Sequence, residues 1–374
     1  MTSRADTANY LEIFLNDSPL LDVRAPVEFD RGSFPLAWNV PLLDDQQREE
    51  IGKKYKDAGQ DEAIELGLRL ATPEIRKNRF DDWKKFIESH PQGYLFCFRG
   101  GLRSRTTQAW LREQGIDYPL IQGGYKAMRS FLIDQLQVSR ESIPLVILSG
   151  MTGSGKTQVL RKTRFHVDLE GLANHKGSAF GRDARDWQPG QIDFENRLSI
   201  ELLKHRHRHP GQSVLLEDEG RLIGRLSLPH EFYQTMAQSP RIFLERDISQ
   251  RIVITRQEYL DTTWPDYLAV HGEEAQARFS EFVLNSLNRI RKRLGGERYK
   301  NVEASFQAAL KLFFETGDFS GFDEGIKILL VEYYDPMYQY QLSQKPVETL
   351  FSGSESDILE WYSNHTDQRE AESA

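Results

Sequence analysis

Cysteine is almost absent from this sequence, since only Cys97 occurs among 374 residues. A single cysteine excludes an intramolecular disulfide and a metal cluster built on several thiolates. No apolar run reaches the roughly 18 residues that a transmembrane helix needs, and the N-terminal MTSRADTANYLEIF lacks the apolar core of a signal peptide. We therefore expect a protein of the reducing cytoplasm that has no membrane partner.

An excess of positive charge is also missing, because 56 acidic residues outnumber 48 lysines and arginines and give a net charge of −8. This balance argues against indiscriminate coating of nucleic acid but is compatible with a local basic groove. The length predicts about two or three domains. Short apolar, β-prone runs alternate with helix-prone segments, which is typical of α/β folds with parallel sheets.

The lone cysteine follows one of the apolar runs. Tyr94–Phe96 predicts a strand and Ser104–Gln114 predicts a helix, so Cys97 lies between a strand's end and a helix. Backbone N–H groups and the helix dipole favour an anion there, and neighbouring arginines lower the pKa of a thiol. We predict that Cys97 is a catalytic nucleophile; the alternative is a buried cysteine without chemistry. The predicted anion-binding residues of its loop are Arg99, Gly100, Gly101, Arg103 and Ser104.

Roughly the first third of the chain contains Asp22-Val23-Arg24, Glu28-Phe29, the Cys97 loop with Arg103-Ser104 and the Gly123-Gly124 turn. This pattern resembles the rhodanese family. The resemblance implies a cysteine that carries sulfur or selenium as a persulfide-type adduct. Cys97 and Arg103 have the C-x5-R spacing of the phosphatase relatives, and ordinary rhodanese loops are one residue shorter. The wider loop could admit a tetrahedral oxyanion such as a phosphate derivative, which argues against plain transfer from thiosulfate.

A second site is predicted from the run GMTGSGKT at residues 150–157, which matches the Walker A motif and follows the apolar strand Leu145–Leu148. Such loops wrap a phosphate in backbone amides, while the lysine reaches the outer phosphate and the hydroxyl can hold Mg²⁺. A glycine-rich turn without a ligand is the alternative. The predicted phosphate-binding residues are Gly150, Gly153, Ser154, Gly155, Lys156 and Thr157.

Acidic and polar residues follow two further runs. Glu217 and Asp218 end the predicted strand Val214–Leu216 and are candidates for holding Mg²⁺ at a Walker B-like position; an ordinary acidic turn is the alternative. Residues 168–181, DLEGLANHKGSAFG, look too irregular for a helix and predict a ligand loop. Its candidate residues are Asp168, Glu170, Asn174, His175 and Ser178, of which a structural Asx-type turn explains one or two.

Contact with nucleic acid is predicted from local clusters of positive charge. The favoured cluster, on a helix from about Gln276, consists of Arg289, Arg291, Lys292 and Arg293. The runs at 161–164 and 204–209 are alternatives, and each cluster could instead be a solvated helix face. The candidates for stacking on splayed bases are Trp187, Trp264 and Tyr267.

Weaker signals complete the predicted organisation. We predict further strands of the second domain at Ile242–Leu244 and Lys327–Tyr333, and a strand of the first domain at Tyr118–Ile121. We predict a linker at residues 139–143 and expect the tail from Ser352 to be loose. The predicted fold class is α/β, with a rhodanese-like parallel-sheet domain over residues 1–138. A P-loop NTPase-like α/β domain follows over residues 139–374, with helical C-terminal additions, a basic helical region and a polar tail.

The fusion of a cysteine-bearing rhodanese-like module to a P-loop domain resembles the tRNA 2-selenouridine synthase family over nearly the whole chain. The 168–181 segment, EDEGRLIG at 217–224 and YYDPMY at 333–338 carry the resemblance, and Gly220 departs from it, because a serine is expected there. The resemblance implies a transferase that replaces sulfur by selenium in wobble 2-thiouridine, within the anticodon loop of tRNA.

The same resemblance implies two substrates besides tRNA. Selenophosphate donates the selenium, and geranyl diphosphate forms a geranylated thiouridine intermediate. Cys97 aligns with the family's essential cysteine, thought to carry a selanyl adduct. An enzyme that makes selenophosphate is a candidate partner, Mg²⁺ is a candidate cofactor, and no tightly bound prosthetic group is expected. Our hypothesis is that the P-loop cradles the diphosphate of geranyl diphosphate.

Other classes of protein stay open on the residues alone. A C-x5-R phosphatase or a sulfurtransferase, with a nucleotide-binding regulatory domain, fits the loop, although Phe96 stands where such phosphatases usually carry a histidine. A nucleotide-gated binding module with an inert rhodanese fold would usually lack Cys97. A small-molecule kinase would label a metabolite from ATP, which the exchange of sulfur for selenium does not require.

Overall fold

The computed structural model describes residues 4–178, 180–181, 184, 187–344 and 346–373. The chain forms two compact units: unit 1 comprises residues 1–139 and 190–204, and unit 2 comprises residues 140–189 and 205–374. Residues 190–204 therefore fold with unit 1, although they lie beyond the P-loop in sequence. None of the helices in the described part of the chain is long and apolar enough to cross a membrane.

Short strands alternate with helices over residues 4–142. The elements are α1 (Tyr10–Leu15), β1 (Leu20–Asp22), α2 (Pro26–Phe29), β2 (Ala37–Asn39), α3 (Asp45–Ala58), α4 (Gln60–Leu70), α5 (Pro73–Ser89), β3 (Tyr94–Phe96), α6 (Leu102–Glu113) and α7 (Gly124–Ser142). The strands form a parallel sheet in the order β2-β1-β3, in which Leu21 pairs with Trp38 on one side and Leu95 on the other. Both faces of β1 and β3 are largely buried, as is usual when helices connect parallel strands, whereas Trp38 of the edge strand β2 is exposed.

Two predictions for this region need correction. Residues 118–121 do not form a strand; they make isolated parallel bridges, Leu120 to Leu95 and Ile121 to Thr7. The predicted linker at 139–143 is wrong, because α7 continues to Ser142 with Ser139 fully buried. A polar composition alone does not end a helix, and the helix stops just before Pro144, which cannot continue it.

Unit 2 contains a larger parallel sheet and a helical region. From residue 145 the elements are β4 (Leu145–Gly150), α8 (Lys156–Leu160), β5 (His166–Val167), α9 (Leu169–Ala173), α10 (Gln191–Arg208), β6 (Val214–Glu217), β7 (Leu222–Ile223), β8 (Leu226–Ser227), α11 (His230–Gln238), β9 (Arg241–Leu244), α12 (Ile248–Arg256), a π-helix (Gln257–Asp261), α13 (Trp264–His271), a 3₁₀-helix (Gly272–Glu274), α14 (Ala275–Leu294), α15 (Gly296–Thr316), a 3₁₀-helix (Ser320–Phe322), α16 (Asp323–Leu329), a second π-helix (Leu330–Tyr334), α17 (Asp335–Gln344), β10 (Thr349–Gly353) and α18 (Glu355–Ser373). Of these, α10 begins in unit 1.

The strands of unit 2 are ordered β10-β9-β4-β6-β5. Strand β4 lies at the centre, where Leu148 pairs with Glu217 of β6 and with Ile242 of β9. The carboxyl ends of β4 and β6 are therefore neighbours, which brings the phosphate loop beside Glu217 and Asp218. The predicted α/β class with parallel sheets is confirmed.

Three predictions for unit 2 are wrong. Residues 327–333 are helical, since Ile326, Leu329 and Leu330 bury one helical face, and a short apolar run cannot by itself distinguish helix from strand. The tail is ordered into β10 and α18, with Tyr362 buried and its hydroxyl donating to the Phe165 carbonyl at 2.8 Å. Part of the 168–181 segment is helical, as α9, because the Asp168 side chain caps its first turn.

Candidate active sites

The cysteine loop connects β3 to α6 and is held closely against the 123–124 turn. Cys97 is 3% exposed, and its carbonyl accepts a hydrogen bond from the Tyr125 N–H at 2.9 Å. Gly124 has φ +58, and a Cβ there would lie 2.2 Å from the Cys97 carbonyl oxygen. Gly100 has φ +62, and its Cβ would lie 2.7 Å from the Ile121 carbonyl oxygen. Only glycine permits this close approach. The thiol is thus positioned at a strand's end as predicted, but it is almost covered.

The arginines of this loop differ in their surroundings. Arg103 donates to both carboxylate oxygens of Glu28, at 2.5 and 3.1 Å. Burial works to raise the pKa of Glu28, but the hydrogen bonds and charge of Arg103 hold it below its ordinary value. Arg99 is exposed beside the Phe98 ring. An anion in the loop would therefore have to share Arg103 with Glu28, which the sequence analysis did not foresee.

The first turns of α6 bury two hydroxyl groups. Ser104 and Thr107 are both fully buried, and neither hydroxyl has a hydrogen-bond partner among the described residues. A buried unsatisfied polar group costs about 1–3 kcal/mol. These hydroxyls could donate to an anion bound at the mouth of α6, and Ser104 is one of the predicted anion-binding residues.

A buried ion pair lies at the end of β1, the strand next to the one that precedes Cys97. Arg24 binds Asp22 through Nε and Nη2, at 2.8 and 2.6 Å, and both side chains are buried. Its guanidinium lies 3.9 Å from the centre of the Tyr125 ring, and it donates to the Gly32 carbonyl at 2.9 Å. The Asp22-Val23-Arg24 run therefore has a structural role.

In unit 2 the phosphate loop has the geometry that its glycines predict. Gly153 and Gly155 have φ +78 and +75, and a Cβ at Gly153 would lie 2.3 Å from Thr255 Oγ1. Lys156 Nζ donates to the Gly150 carbonyl at 3.0 Å. Ser154 is buried, and its hydroxyl has no partner among the described residues. The loop thus presents a lysine and a hydroxyl at the amino end of α8.

Carboxylates surround this loop. Thr157 Oγ1 donates to Glu170 Oε2 at 3.1 Å. Glu217 is 1% exposed with neither oxygen partnered in the described part of the chain, and burial together with the charge of Glu170 raises its pKa to about 8. Burial, then Glu170 and Glu217, raise the pKa of Glu219 as well. The negative charges of Glu170, Glu217 and Glu219 beside Lys156 favour either protonation of these carboxylates or binding of a cation.

The predicted ligand loop divides into two groups. Glu170 and Ser178 line the cavity of about 600 Å³ that lies over the phosphate loop. Asp168, Asn174 and His175 do not line it. Asp168 caps α9 and pairs with Arg161 at 2.7 Å, and Asn174 has φ +47 and donates to the Trp187 carbonyl at 2.6 Å. Of the predicted ligands outside the cavity, Asp168 is thus a helix cap and Asn174 is a turn residue.

Sequence reasoning missed the tyrosine that closes the phosphate loop. Tyr338 Oη donates to Asp218 Oδ2 at 2.8 Å and accepts from the Gly150 N–H at 3.1 Å. Ser149 donates to the same Asp218 oxygen at 2.8 Å. Asp335 binds Arg251, whose Nε donates to the Thr152 carbonyl at 2.9 Å. The YYDPMY run at 333–338 contains this tyrosine, and the predicted strand Lys327–Tyr333 ends at its first residue.

The basic cluster lies at the end of α14. Arg289, Arg291, Lys292 and Arg293 are all exposed there, and Arg293 also lines the cavity over the phosphate loop. Of the aromatic candidates, Trp187 is exposed, Tyr267 is buried, and the Trp264 ring packs against Phe279 and Phe313. The positions of Tyr267 and Trp264 fit a core role better than stacking on bases.

The fold and these sites define an α/β protein with a P-loop domain. A family model described as the tRNA 2-selenouridine synthase AAA domain matches residues 143–369. The tRNA 2-selenouridine synthase of Marinobacter nauticus is 52% identical and covers 98% of this chain and 100% of its own length. The enzymes of that name from Pseudomonas fluorescens and Shewanella halifaxensis are 48% and 44% identical, over 95% and 97% of this chain and 97% and 99% of their own lengths.

The chain belongs to the tRNA 2-selenouridine synthase family. The predictions that it is an enzyme and that it resembles this family are thereby confirmed. A solved structure, the N-terminal domain of a putative ATP/GTP binding protein from Clostridium difficile, is 28% identical and covers 31% of this chain and 89% of its own length, with a TM-score of 0.29.

Proposed function

We propose that this chain replaces the sulfur of 2-thiouridine in tRNA by selenium, with selenophosphate as the donor. The observation that carries the proposal is the 52% identity to a tRNA 2-selenouridine synthase over 98% of the chain. The decisive experiment is mass spectrometry of wobble nucleosides from cells that lack the protein, complemented with the wild type or with Cys97→Ser. Selenouridine should return only with the wild type.

The sulfur has to be made a better leaving group before selenium can replace it. The thiocarbonyl sulfur attacks carbon 1 of geranyl diphosphate, so that a sulfur–carbon bond forms, the carbon–oxygen bond breaks and diphosphate departs. The base loses the proton on its ring nitrogen, and the product is an S-geranyl thioether. When a selenium nucleophile later adds at carbon 2, geranylthiolate can leave, and an aromatic-type ring system is restored.

The P-loop of unit 2 would hold the diphosphate of geranyl diphosphate. The cavity over this loop continues into an apolar cavity lined by Phe180, Leu260, Phe306, Ile326, Leu329 and Leu330, and both are lined by Thr152, Ser178, Tyr259 and Tyr334. An apolar wall suits an isoprenoid chain better than the polar edges of a nucleoside, which would lose hydrogen bonds there.

The apolar cavity measures about 40 Å³, so a ten-carbon chain would have to enlarge it. Two π-helices, Gln257–Asp261 and Leu330–Tyr334, contribute residues to it. Such turns are frequent at functional sites, and here they are the segments that would have to adjust.

Oxygen donors beside the P-loop fit Mg²⁺. No group of three or more His, Cys, Asp or Glu with metal-binding geometry occurs in the described residues. The hydroxyl of Thr157 and the unpartnered carboxylate of Glu217 would therefore hold the ion together with the diphosphate and water. A bound Mg²⁺ would supply positive charge for the departing diphosphate.

A lysine substitution tests the assignment of the P-loop. Lys156→Ala should lower kcat/KM for geranyl transfer to a 2-thiouridine anticodon RNA by about 10- to 150-fold, because a hydrogen bond to a charged group contributes about 1.5–3 kcal/mol. Lys311→Ala, an exposed lysine on α15, is the matched control. Unchanged geranyl transfer in Lys156→Ala would contradict the assignment. So would a Lys156→Ala protein that no longer binds ATP but still binds geranyl diphosphate with wild-type affinity.

Unit 1 would supply the selenium chemistry. We assign it a rhodanese-like fold, supported by its parallel sheet and by the position of Cys97 after β3. The Cys97 thiolate attacks the selenium of selenophosphate: the sulfur–selenium bond forms, and the selenium–phosphorus bond breaks with its electron pair on phosphorus, so phosphite leaves. The terminal selenide then attacks carbon 2, so that a carbon–selenium bond forms, the carbon–sulfur bond breaks and geranylthiolate departs. Two equivalents of a thiol reductant then cleave the selenium–sulfur bond, which releases the 2-selenouridine and free Cys97 and leaves the reductant as a disulfide.

The phosphorus product tests this step. Phosphorus NMR should detect phosphite, and mass spectrometry of the Cys97 peptide should detect selenium. Phosphate together with a phosphoryl group on Cys97 would instead show attack at phosphorus with release of hydrogen selenide, the reaction for which a C-x5-R loop is suited. Cys97 must also become more exposed than its 3% for either reaction.

The end of α14 would bind the anticodon loop. Arg289, Arg291 and Lys292 offer exposed positive charge for phosphates, and Arg293 lies at the cavity over the P-loop. Phosphate contacts of this kind position a nucleic acid, whereas bases are read by other groups. This arrangement would bring a thiouridine to the diphosphate of its co-substrate.

A further inference from the structure

Unit 1 contains a second apolar cavity, beside the cysteine loop. It has a volume of about 840 Å³ and lies between the α3–α4 helical hairpin and α6. Its wall includes Leu43, Ile51, Ile64, Leu68, Leu102 and Trp110. Leu102 and Arg103 belong both to this wall and to the start of α6, six residues or fewer after Cys97. The cavity therefore reaches the first turn of the helix that follows the cysteine loop.

The hairpin exposes apolar side chains without using them in a core. None of the residues of α3 is buried, and Ala63 is the buried residue of α4. Tyr55 is 56% exposed, Leu68 61% and Leu102 53%. Exposed apolar surface that is gathered into one concave patch typically marks a binding site.

Two glycines widen the cavity. Gly52 and Gly67 lie in the middle of α3 and α4, where glycine costs about 0.5–1 kcal/mol relative to alanine. A Cβ at Gly52 would meet no atom within 4 Å, and one at Gly67 would approach only Ile51, at 3.5 Å. Neighbouring atoms therefore do not require glycine at either position. The absence of two side chains instead adds to the open volume of the cavity.

The rim of the cavity is polar and contains several cations. Arg48, Lys53, Lys56 and Arg103 outnumber Glu28 and Glu49 there; Arg48 and Arg103 both pair with Glu28, and Lys53 pairs with Glu49. The charge of Arg103 also interacts with Cys97. An occupant that suits these surroundings has an apolar body and an anionic part attached to it, near Arg103.

We propose that this cavity binds the geranyl chain of S-geranyl-2-thiouridine while selenium replaces the sulfur. The inference depends on the proposed function, since it takes the geranylated base as the substrate of the cysteine site. Ten carbons need roughly 300 Å³ if each takes the ~30 Å³ of a water molecule, and the cavity of about 840 Å³ accommodates this volume. The attached RNA is the anionic part, and its phosphates face the cationic rim. The cavity orients the leaving thiolate away from the attacking selenium.

The test measures how the enzyme discriminates between long and short S-alkyl groups. Selenation is assayed on anticodon RNA that carries either S-geranyl- or S-methyl-2-thiouridine. The measured quantity is kcat/KM for the S-geranyl RNA divided by kcat/KM for the S-methyl RNA. In Leu68→Glu and in Ile64→Trp this ratio should fall about tenfold or more, because a few methylene groups of the geranyl chain lose their burial, at about 0.8 kcal/mol each. Leu312→Glu places the same charge on an exposed leucine of α15 and should leave the ratio unchanged.

The outcomes separate this inference from the proposed function. If the wild type does not selenate S-geranyl RNA, the proposed function fails. If the wild type does so and both cavity variants, with wild-type thermal unfolding, keep the wild-type ratio, the inference alone is wrong. It is also wrong if Leu68→Glu leaves the ratio unchanged but converts an oligomer into a monomer in light scattering, since the apolar wall would then bind a second copy of the chain.

Discussion

The buried carboxyl group of Glu217 should make unit 2 less stable as the pH rises. Burial, reinforced by the negative charge of Glu170, raises its pKa from 4.5 to about 8. A carboxyl with a raised pKa binds its proton more tightly in the folded than in the unfolded state. Its contribution to stability is therefore complete below about pH 4.5 and is lost as the pH rises through about 8.

The structure sets an upper bound on this effect. The pKa difference between 4.5 and about 8 is about 3.5 units, and each unit corresponds to about 1.4 kcal/mol, which gives roughly 5 kcal/mol. Glu170 and Glu219 titrate together with Glu217, so removing one charge recovers only a part of this energy. We expect Glu217→Gln to be more stable than the wild type by about 1–3 kcal/mol near pH 9, and of similar stability near pH 5.

Urea unfolding in buffer with a chelator measures this difference. Wild type, Glu217→Gln and the control Glu315→Gln, an exposed acid on α15, are compared at about pH 5, 7 and 9. Adding Mg²⁺ near pH 9 should stabilise the wild type more than Glu217→Gln, because the ion binds the folded carboxylate. A difference between wild type and Glu217→Gln that stays constant with pH would refute the reasoning, as would a pH-dependent difference in Glu315→Gln.

Three further predictions concern single contacts. Cys97→Ser should abolish selenium incorporation and still geranylate 2-thiouridine RNA, as nucleoside mass spectrometry can determine; loss of both activities would argue against separate sites. Tyr338→Phe leaves a buried N–H of the phosphate loop unpaired and removes a donor to Asp218, so the free energy of unfolding should fall by about 1–3 kcal/mol; equal denaturation midpoints would contradict this. Arg291→Ala with Lys292→Ala should weaken tRNA binding and reduce the slope of log affinity against log salt by about 2; an unchanged slope would place the tRNA elsewhere.

The phosphate loop shows how far a local pattern can be interpreted. A strand, four glycine- and hydroxyl-bearing turn residues and a lysine are all contiguous in the chain, and the turn needs positive φ at Gly153 and Gly155, which glycine adopts without steric cost. The same holds for the cysteine after β3, which needs only an apolar run followed by a glycine-bearing loop. These predictions depended on neighbours in sequence, and the strand and loop positions agree with the structure.

Predictions that depended on burial were less successful. The run at 327–333 was apolar enough for a strand, but its neighbours in unit 2 bury one helical face of it. The polar tail was expected to be loose, yet Ile358 and Tyr362 pack into the sheet domain. Composition does not specify which partner an amphipathic segment will find, so these errors follow from tertiary packing that overrides local preference.

By itself the sequence determined the reactive groups: one thiol, one lysine in a phosphate loop, and a run of acids after a strand, because covalent order fixes these side chains beside particular turns. Only the tertiary structure decided what surrounds them. It pairs Arg103 with Glu28, places Tyr338 on the phosphate loop over a separation of 188 residues, and leaves Glu217 buried without a partner among the described residues. Desolvation and contact between distant segments exist only in the folded chain, and they set the charge and accessibility on which the chemistry depends.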